Sequence, residues 1–332
     1  MLKSITISPY KENSSFGEKA RWIARSLDQR DGLDNTNACV YQEDTDHNSF
    51  KSSSIEDPDF CIQYVRSLDF VRTPYKNIGI FEPKLKGRPY EENVMGLLDN
   101  IIVHSNNQKN ALPERVRHKC IVARPIVPPF NNQNKMKRIS LKFNFYTSAI
   151  EEDANIDMII IAYLTSFTSN DNVTLNILCN NLQETLDYVN KLKENLGLYK
   201  KVPLYPDIFL QTETSIHATC HCFIDASMGY DIPIHTMLAV ASSNPIITSG
   251  ADGLLEWVDE GACYKFRSYD GCRDSYLLGN IPEFSSLKEN LLEAFKNRKL
   301  FSEKQDKMIS VCCNSFDDKK EDNIGDILCS LL

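Results

Sequence analysis

Thr248-Ser249-Gly250-Ala251-Asp252-Gly253 puts two hydroxyl side chains and two glycines into six residues, directly after the short apolar run NPIIT. Glycine lets the backbone turn its amides outward, and such amides, with the hydroxyls of Thr248 and Ser249, could hold a pyrophosphate at the start of a helix. Asp231, His235 and Asp252 are the nearby ionisable groups that could take polar or acid–base roles, against a structural or surface role for each. Near the other end of the chain, Ser14, Ser15 and Gly17 open an amphipathic segment, with Glu18 placed for a capping box. That helix start could receive an anion or a sugar hydroxyl, or serve as a plain cap. A third cluster, His217, Cys220, His221 and Cys222, contains metal-ligating residue types. On a strand, however, Cys220 and Cys222 share a face while His221 points away, and no second cysteine pair stands at zinc-site spacing, so packed core thiols are the expectation and no metal is assigned.

The elements that must position these residues alternate strand and helix. Ile5 and Ile7 alternate with polar neighbours in a first strand, and Phe16, Ala20, Ile23, Ala24 and Leu27 follow helical spacing after Ser15. A weak strand near Ala38 to Tyr41 is followed by a polar connection. The short apolar bursts FCIQYV, NIGIF, NIIVHS and HKCIVA then read as buried parallel strands. Pro125, Pro128 and Pro129 with the Asn-rich run after them form the best linker. Beyond it, RISLKFNFY, NVTLNIL and PDIFLQ read as strands. Asn155 to Phe167 reads as an apolar helix, and a second helix carries Leu182, Leu186, Val189, Leu192 and Leu196 on one face, with Gly197 placed to stop it. From Cys220 to Phe266 the pattern is strand, loop, helix, strand, glycine loop, helix, strand, and the tail reads as helices. The boundaries expected are an N-terminal domain over 1–124, a linker over 125–137, a C-terminal domain over 138–300 and C-terminal helices over 301–332. The fold class is α/β, two doubly wound Rossmann-like domains facing a cleft.

A chain of 332 residues with 42% apolar content can bury two such cores. Its net charge of −8 argues against a general nucleic-acid coat, although Arg115, Arg117, Lys119 and Lys135, Lys137, Arg138 form local basic clusters. The eleven cysteines are odd in number and scattered, as reduced thiols in a cytoplasmic protein would be. No stretch approaches the ~18 apolar residues of a membrane span, and the sequons at Asn13 and Asn172 are expected to be unused.

Several segments, in order, resemble the GT-B retaining glycosyltransferases, the family of glycogen and sucrose synthases and many mannosyltransferases. SSFGEKARWIARSL resembles the first-domain loop and helix that face the acceptor, NIGIFEPK the strand reading "NIGYFxWE", and DNIIVHSNNQKNAL the strand-helix step before the linker. FNFYTSAIEEDANIDMIIIAYLTSF resembles the opening of the second domain. ASMGYDIPIHTMLAVASSNPIIT resembles "SEGYGIPxxEAMAxGxPVIA", and SGADGLLEWVDEGACYKF the glycine-rich "GGxxEyVxxGxxGyLv". The resemblance implies a nucleotide sugar as donor substrate, no required cofactor, and transfer with retention to an acceptor of unknown kind. It places the donor against Tyr230, Thr248, Ser249, Gly250, Asp252 and Gly253 and the acceptor against Ser14, Ser15, Gly17 and Glu82, with Asp231 and His235 as the catalytic candidates.

Three departures stand out. The family's two glutamates, seven residues apart, fall at Met228 and Thr236 in one frame and at Tyr230 and Leu238 in the other. Ala154 stands where many relatives have lysine, and Gln63 lies near the place of a first-domain histidine. A binding or scaffolding protein on the same frame is therefore the second class of function expected, with an oligomer or an active partner subunit as its companion; modification of a nucleic acid or another macromolecule is the third.

Overall fold

The computed structural model describes residues 2–9, 15–28, 33–39, 58–65, 69–82, 93–125, 142–150, 154–199, 205–212, 216–229, 232–251, 253–272, 278–315 and 327. The chain divides into two compact units, Met1–Ile126 with Lys319–Leu332, and Val127–Asp318.

In the first unit β1 (Leu2–Ser8), β2 (Leu33–Cys39), β3 (Phe60–Gln63), β4 (Lys76–Ile80), β5 (Asn100–Val103) and β6 (Cys120–Val122) form a parallel sheet in the order β2-β1-β3-β4-β5-β6. Alternate residues feed two cores. Phe60, Ile62, Ile78, Ile80 and Ile102 pack with Ala20, Ile23 and Leu27 of α1 (Ser15–Asp28), while Ile7, Cys61, Ile101 and Val103 pack with Phe70, Met95 and Leu112. Burial on both faces is why these strands read as short continuous apolar runs. Ile327 packs against the first of these cores. β2 begins at Leu33, five residues before the strand expected at Ala38, because it is held by polar groups: Asn35 Oδ1 accepts from Ser4 Oγ and Thr6 Oγ1, and its amide donates to Asp28.

The second unit repeats the plan. β7 (Phe143–Ser148), β8 (Val173–Leu178), β9 (Asp207–Gln211), β10 (Cys222–Asp225), β11 (Ile246–Thr248) and β12 (Cys263–Lys265) form a parallel sheet in the order β12-β11-β10-β7-β8-β9. Four helices after α1 matter here: α2 (Asn106–Ala111) in the first unit, and α3 (Ile156–Ser166), α4 (Leu182–Tyr199) and α5 (Ile216–Thr219) in the second. They are followed by α6 (Ile234–Ala241), α7 (Phe284–Lys296) and α8 (Arg298–Ser315). Ile159, Ile160 and Tyr163 of α3, with Leu287 and Leu291 of α7, close over Phe143, Phe145, Leu175 and Ile224. Arg298 at the start of α8 lies over the Phe143 ring at 4.4 Å.

Three expectations need correction. Gly197 does not stop α4, which runs on to Tyr199, and Leu182 and Leu186 in its early turns remain 47% and 43% exposed while Val189 is buried. The helix expected after the glycine loop is two 3₁₀ turns, Leu254–Glu256 and Glu260–Ala262. A hairpin of β13 (Ser268–Cys272) and β14 (Leu278–Pro282), paired antiparallel, precedes α7 and was unforeseen.

Candidate functional site

Each sheet reverses its direction of winding once, between β1 and β3 in the first unit and between β7 and β10 in the second. In open α/β sheets ligands collect outside the carboxyl ends of the strands at such a reversal. Polar side chains gather at both places.

In the second unit Asp225 ends β10 and stands in register with Thr248, the last residue of β11. It is 6% exposed. Its Oδ1 accepts from the Ser227 amide at 3.0 Å and the Ser227 hydroxyl at 2.7 Å, and its Oδ2 accepts from Thr236 Oγ1 at 2.7 Å. Thr236 lies in the first turn of α6, which Pro233 precedes as N-cap, where the helix field favours a carboxylate. Across the reversal, Asn155 adopts the left-handed conformation (φ 48°) and donates its amide to the Ala226 carbonyl at 2.7 Å, joining the loop before α3 to the tip of β10. Of the two frames for the family's glutamates, one gives Met228 and Thr236, both buried, and Thr236 is bound to Asp225. In the other, Leu238 is a half-buried helix residue and Tyr230 lies outside the described residues. Asp225 is the residue that sequence reasoning missed. Its signal was a carboxylate ending an apolar strand, followed by hydroxyls two and eleven positions later.

The glycine loop follows β11. Thr248 Oγ1 accepts from the Gly250 amide at 3.0 Å and Ser249 Oγ from the Ala251 amide at 3.2 Å, while the Gly253 amide donates to the Gly250 carbonyl at 3.1 Å. Gly250 and Gly253 have φ of 71° and 88°, a region that disfavours a Cβ, and one on Gly250 would also run into the Leu255 side chain. These amides are engaged inside the loop, and the short 3₁₀ turns that follow supply no α-helix N-terminus. Asp231, Tyr230 and Asp252 lie outside the described residues.

His235 is a buried residue in the first turn of α6. Its Nδ1 lies 3.3 Å from His217 Nε2, and the two rings stack at 5.5 Å. His217 Nδ1 lies 3.2 Å from the Tyr146 hydroxyl, to which Asn244 also donates. Burial, and then the neighbouring His235, push His217 down to about 3, so it is neutral at ordinary pH. Cys220 and Cys222 are buried free thiols, and His221 stacks on Phe143 at 5.1 Å. Among the described residues no group of three or more His, Cys, Asp or Glu is gathered as for a metal.

In the first unit the strand ends carry Ser8 as the last residue of β1, Tyr64 after β3, Glu82 after β4 and His104 after β5, and Lys19 comes from α1. Glu82 Oε2 accepts from Lys19 Nζ at 2.9 Å and from the Tyr64 hydroxyl at 3.0 Å. His104 Nε2 lies 3.7 Å from Glu82 Oε1, and the side chains of Lys19, Glu82 and His104 are 7%, 9% and 4% exposed. Burial alone would raise the Glu82 carboxyl, but Lys19 and the Tyr64 hydroxyl, with His104 when it is protonated, hold it below the usual carboxylate range. His104 is shifted down by burial, against the pull of Glu82 and of the Ala123 carbonyl that meets its Nδ1 at 3.1 Å. Lys19 is therefore the partner that keeps Glu82 ionised near neutral pH.

Of the other acceptor-side residues, Gly17 is buried in the first turn of α1, and Phe16 beside it meets the Tyr64 ring at 4.6 Å. Ser15 opens the helix with its side chain outside the described residues, and Ser14 lies outside them altogether. Gln63, near the place of the family histidine, is fully buried and bonded to Val71 and Asn77, which pins the segment after β3.

The fold has solved counterparts. Anabaena HepE in complex with UDP-glucose matches over the whole of both chains at 12% identity and a TM-score of 0.64. The fold is of the GT-B type. A variant of the Thermobaculum terrenum O-GlcNAc transferase matches 99% of this chain and 66% of its own at 10% identity and a TM-score of 0.64. The Staphylococcus aureus MnaA–UDP structure matches 92% and 91% at 12% identity and a TM-score of 0.52. A TarM structure from the same organism matches 78% of this chain, which spans 55% of TarM, at 12% identity and a TM-score of 0.54. No protein-family model matches the sequence, and no curated protein sequence matches it. No helix among the described residues is long and apolar enough to cross a membrane.

Proposed function

We propose that the chain is a glycosyltransferase that takes a sugar from a nucleoside diphosphate sugar held by the second unit and passes it, with retention, to an acceptor hydroxyl held by the first. The observation that carries this reading is the polar cluster at the winding reversal of each sheet, in a fold whose whole-length counterpart holds UDP-glucose. On the donor side, Asp225 is fixed in a single orientation at the tip of β10, beside Thr248 and the glycine loop. A buried carboxylate of this kind can accept from donor hydroxyls. For the diphosphate the loop Thr248–Gly253 offers its hydroxyls and amides, provided that the internal bonds of Thr248 and Ser249 are exchanged for bonds to phosphate oxygens. Tyr230, Asp231 and Asp252 belong to the same proposed surface by their place in the chain. On the acceptor side the cluster around Glu82 and the start of α1 at Ser14, Ser15 and Gly17 form the counterpart. A nucleotide sugar suffices as donor, with no separate cofactor, so added EDTA is expected to leave transfer unchanged.

Calorimetry with UDP, GDP and ADP, followed by product analysis with the corresponding sugar nucleotides, tests the reading. Binding of one nucleoside diphosphate and release of its sugar with the anomeric configuration kept are expected. Failure of every nucleoside diphosphate to bind overturns it. One observation favours a second reading, a nucleotide-sugar binding protein without transfer: in the frame giving Met228 and Thr236 both glutamate positions are buried and neither is acidic. Tight nucleotide binding with no turnover on any acceptor would select it.

A further inference from the structure

The first-unit cluster also indicates what kind of molecule it takes. We propose that Glu82 Oε1 accepts a hydrogen bond from a hydroxyl of an uncharged polyol, such as a neutral sugar. It deepens the acceptor side of the transferase reading, while the site itself stands on the first unit alone.

Three observations carry it. The two oxygens of Glu82 are used unequally: Oε2 is filled by Lys19 and Tyr64, while among the described residues Oε1 accepts no hydrogen bond and has only His104 near it. The Ala123 carbonyl can only accept, so a hydrogen bond at that contact places the proton of a neutral His104 on Nδ1, and Nε2 then offers Oε1 no N–H. A buried carboxylate already fixed by a cation and a phenol, with one oxygen open, is a preorganised acceptor for a hydroxyl.

The second observation is charge. Lys19 and Glu82 cancel, and His104 is neutral near pH 7, so the described groups around Oε1 sum to zero. A carboxylate or ammonium on the ligand would enter this buried place without a countercharge, whereas a hydroxyl would not.

The third is a pair of fully buried polar atoms without partners. Ser8 Oγ lies at the end of β1, beside the strand that leads to Tyr64, and Gln108 Nε2 belongs to the side chain whose Oε1 accepts from the His104 amide. Buried polar groups are rarely left unpaired, and these two flank the cluster from either side. Together with the Phe16–Tyr64 ring pair they suit a ligand that has several hydroxyls and a C–H face.

The same geometry sets a pH dependence. Among the described residues, the charged or titratable groups that act on His104 are Glu82 and Lys19, with the Tyr64 phenol on the far oxygen of Glu82. On acidification His104 gains a proton on Nε2, opposite Oε1, and competes with the ligand hydroxyl while adding a positive charge.

The test is ligand-observed NMR and calorimetry on the full chain saturated with the nucleoside diphosphate it binds, or on the chain alone if it binds none. The probes are methyl α-glucoside, glucuronate and glucosamine. Methyl α-glucoside is expected to bind best, and Glu82→Gln to weaken it about tenfold or more while nucleotide affinity stays as in the wild type. Affinity should fall from pH 7.5 toward pH 5, and His104→Asn should flatten that fall. Ser8→Ala removes a hydroxyl without a partner, so it should fold as the wild type and still bind the glucoside more weakly. Equal or tighter binding of the charged sugars, no binding of any of the three, or unchanged glucoside affinity in both Glu82→Gln and Ser8→Ala would overturn the inference. Loss of nucleotide binding alone would overturn only the transferase reading.

Discussion

Glu82 and Asp225 are both carboxylates at the carboxyl end of a buried strand, yet they are neutralised differently: Glu82 by a cation, Asp225 by hydroxyls, an amide and the start of α6. That difference gives separate predictions. Lys19→Met leaves a buried carboxylate without its cation and is expected to cost about 3–5 kcal/mol, read by urea denaturation. Asp225→Ala strands the Thr236 hydroxyl and the Ser227 amide and should cost about 1–3 kcal/mol, together with donor affinity. His217 adds a pH signature. Its folded pKa lies below its unfolded value, so the unfolded state binds more protons between pH 6.5 and about 3. Stability should therefore be complete above about pH 6.5 and fall as pH is lowered, by up to ~1.4 kcal/mol per pH unit for this group. His104 has the same sign, and Glu82 adds a further loss at lower pH as its carboxylate protonates. Denaturation midpoints followed from pH 7.5 to 4 should show a shallower slope in His217→Gln than in the wild type.

At the scale of elements, the parallel strands were legible because both of their faces are buried, which leaves unbroken runs such as FCIQ and NIIV. β2 was misplaced because its early part is fixed by hydrogen bonds that Asn35 accepts from Ser4 and Thr6 and donates to Asp28, which leave no apolar alternation to read. Gly197 misled because its neighbours leave it room, so nothing about its place forces a helix end. The same limit applies to the candidate site. Glu82 was named through the resemblance of NIGIFEPK to the family's strand, but Lys19, Tyr64 and His104 come from three other elements at separations of 18 to 63 residues, and only folding brings them together. Asp225 escaped for a related reason, since its partner Thr236 stands where a carboxylate was sought. The glycine loop is testable as an element. Gly250→Val meets both an unfavourable φ and the Leu255 side chain, and calorimetry should show nucleotide affinity lost well before the far-UV dichroism changes.

For the whole molecule, each unit has its own cores and its own sheet, so two unfolding transitions are expected in calorimetry. Ile327→Ala should lower only the transition of the first unit, by about 1–2 kcal/mol, because that side chain packs against the core containing Phe60 and Ile80. An equal shift of both transitions would contradict this. The return of 319–332 to the first unit also bears on the order of events at the ribosome. Domains fold as units while a chain is being made, the N-terminal one usually first. Here residues 127–318, a complete unit, emerge before the segment that finishes the first one. The unit begun first is the last to be completed, and the cluster around Glu82 forms part of a body that awaits its closing segment after the other has every residue it needs.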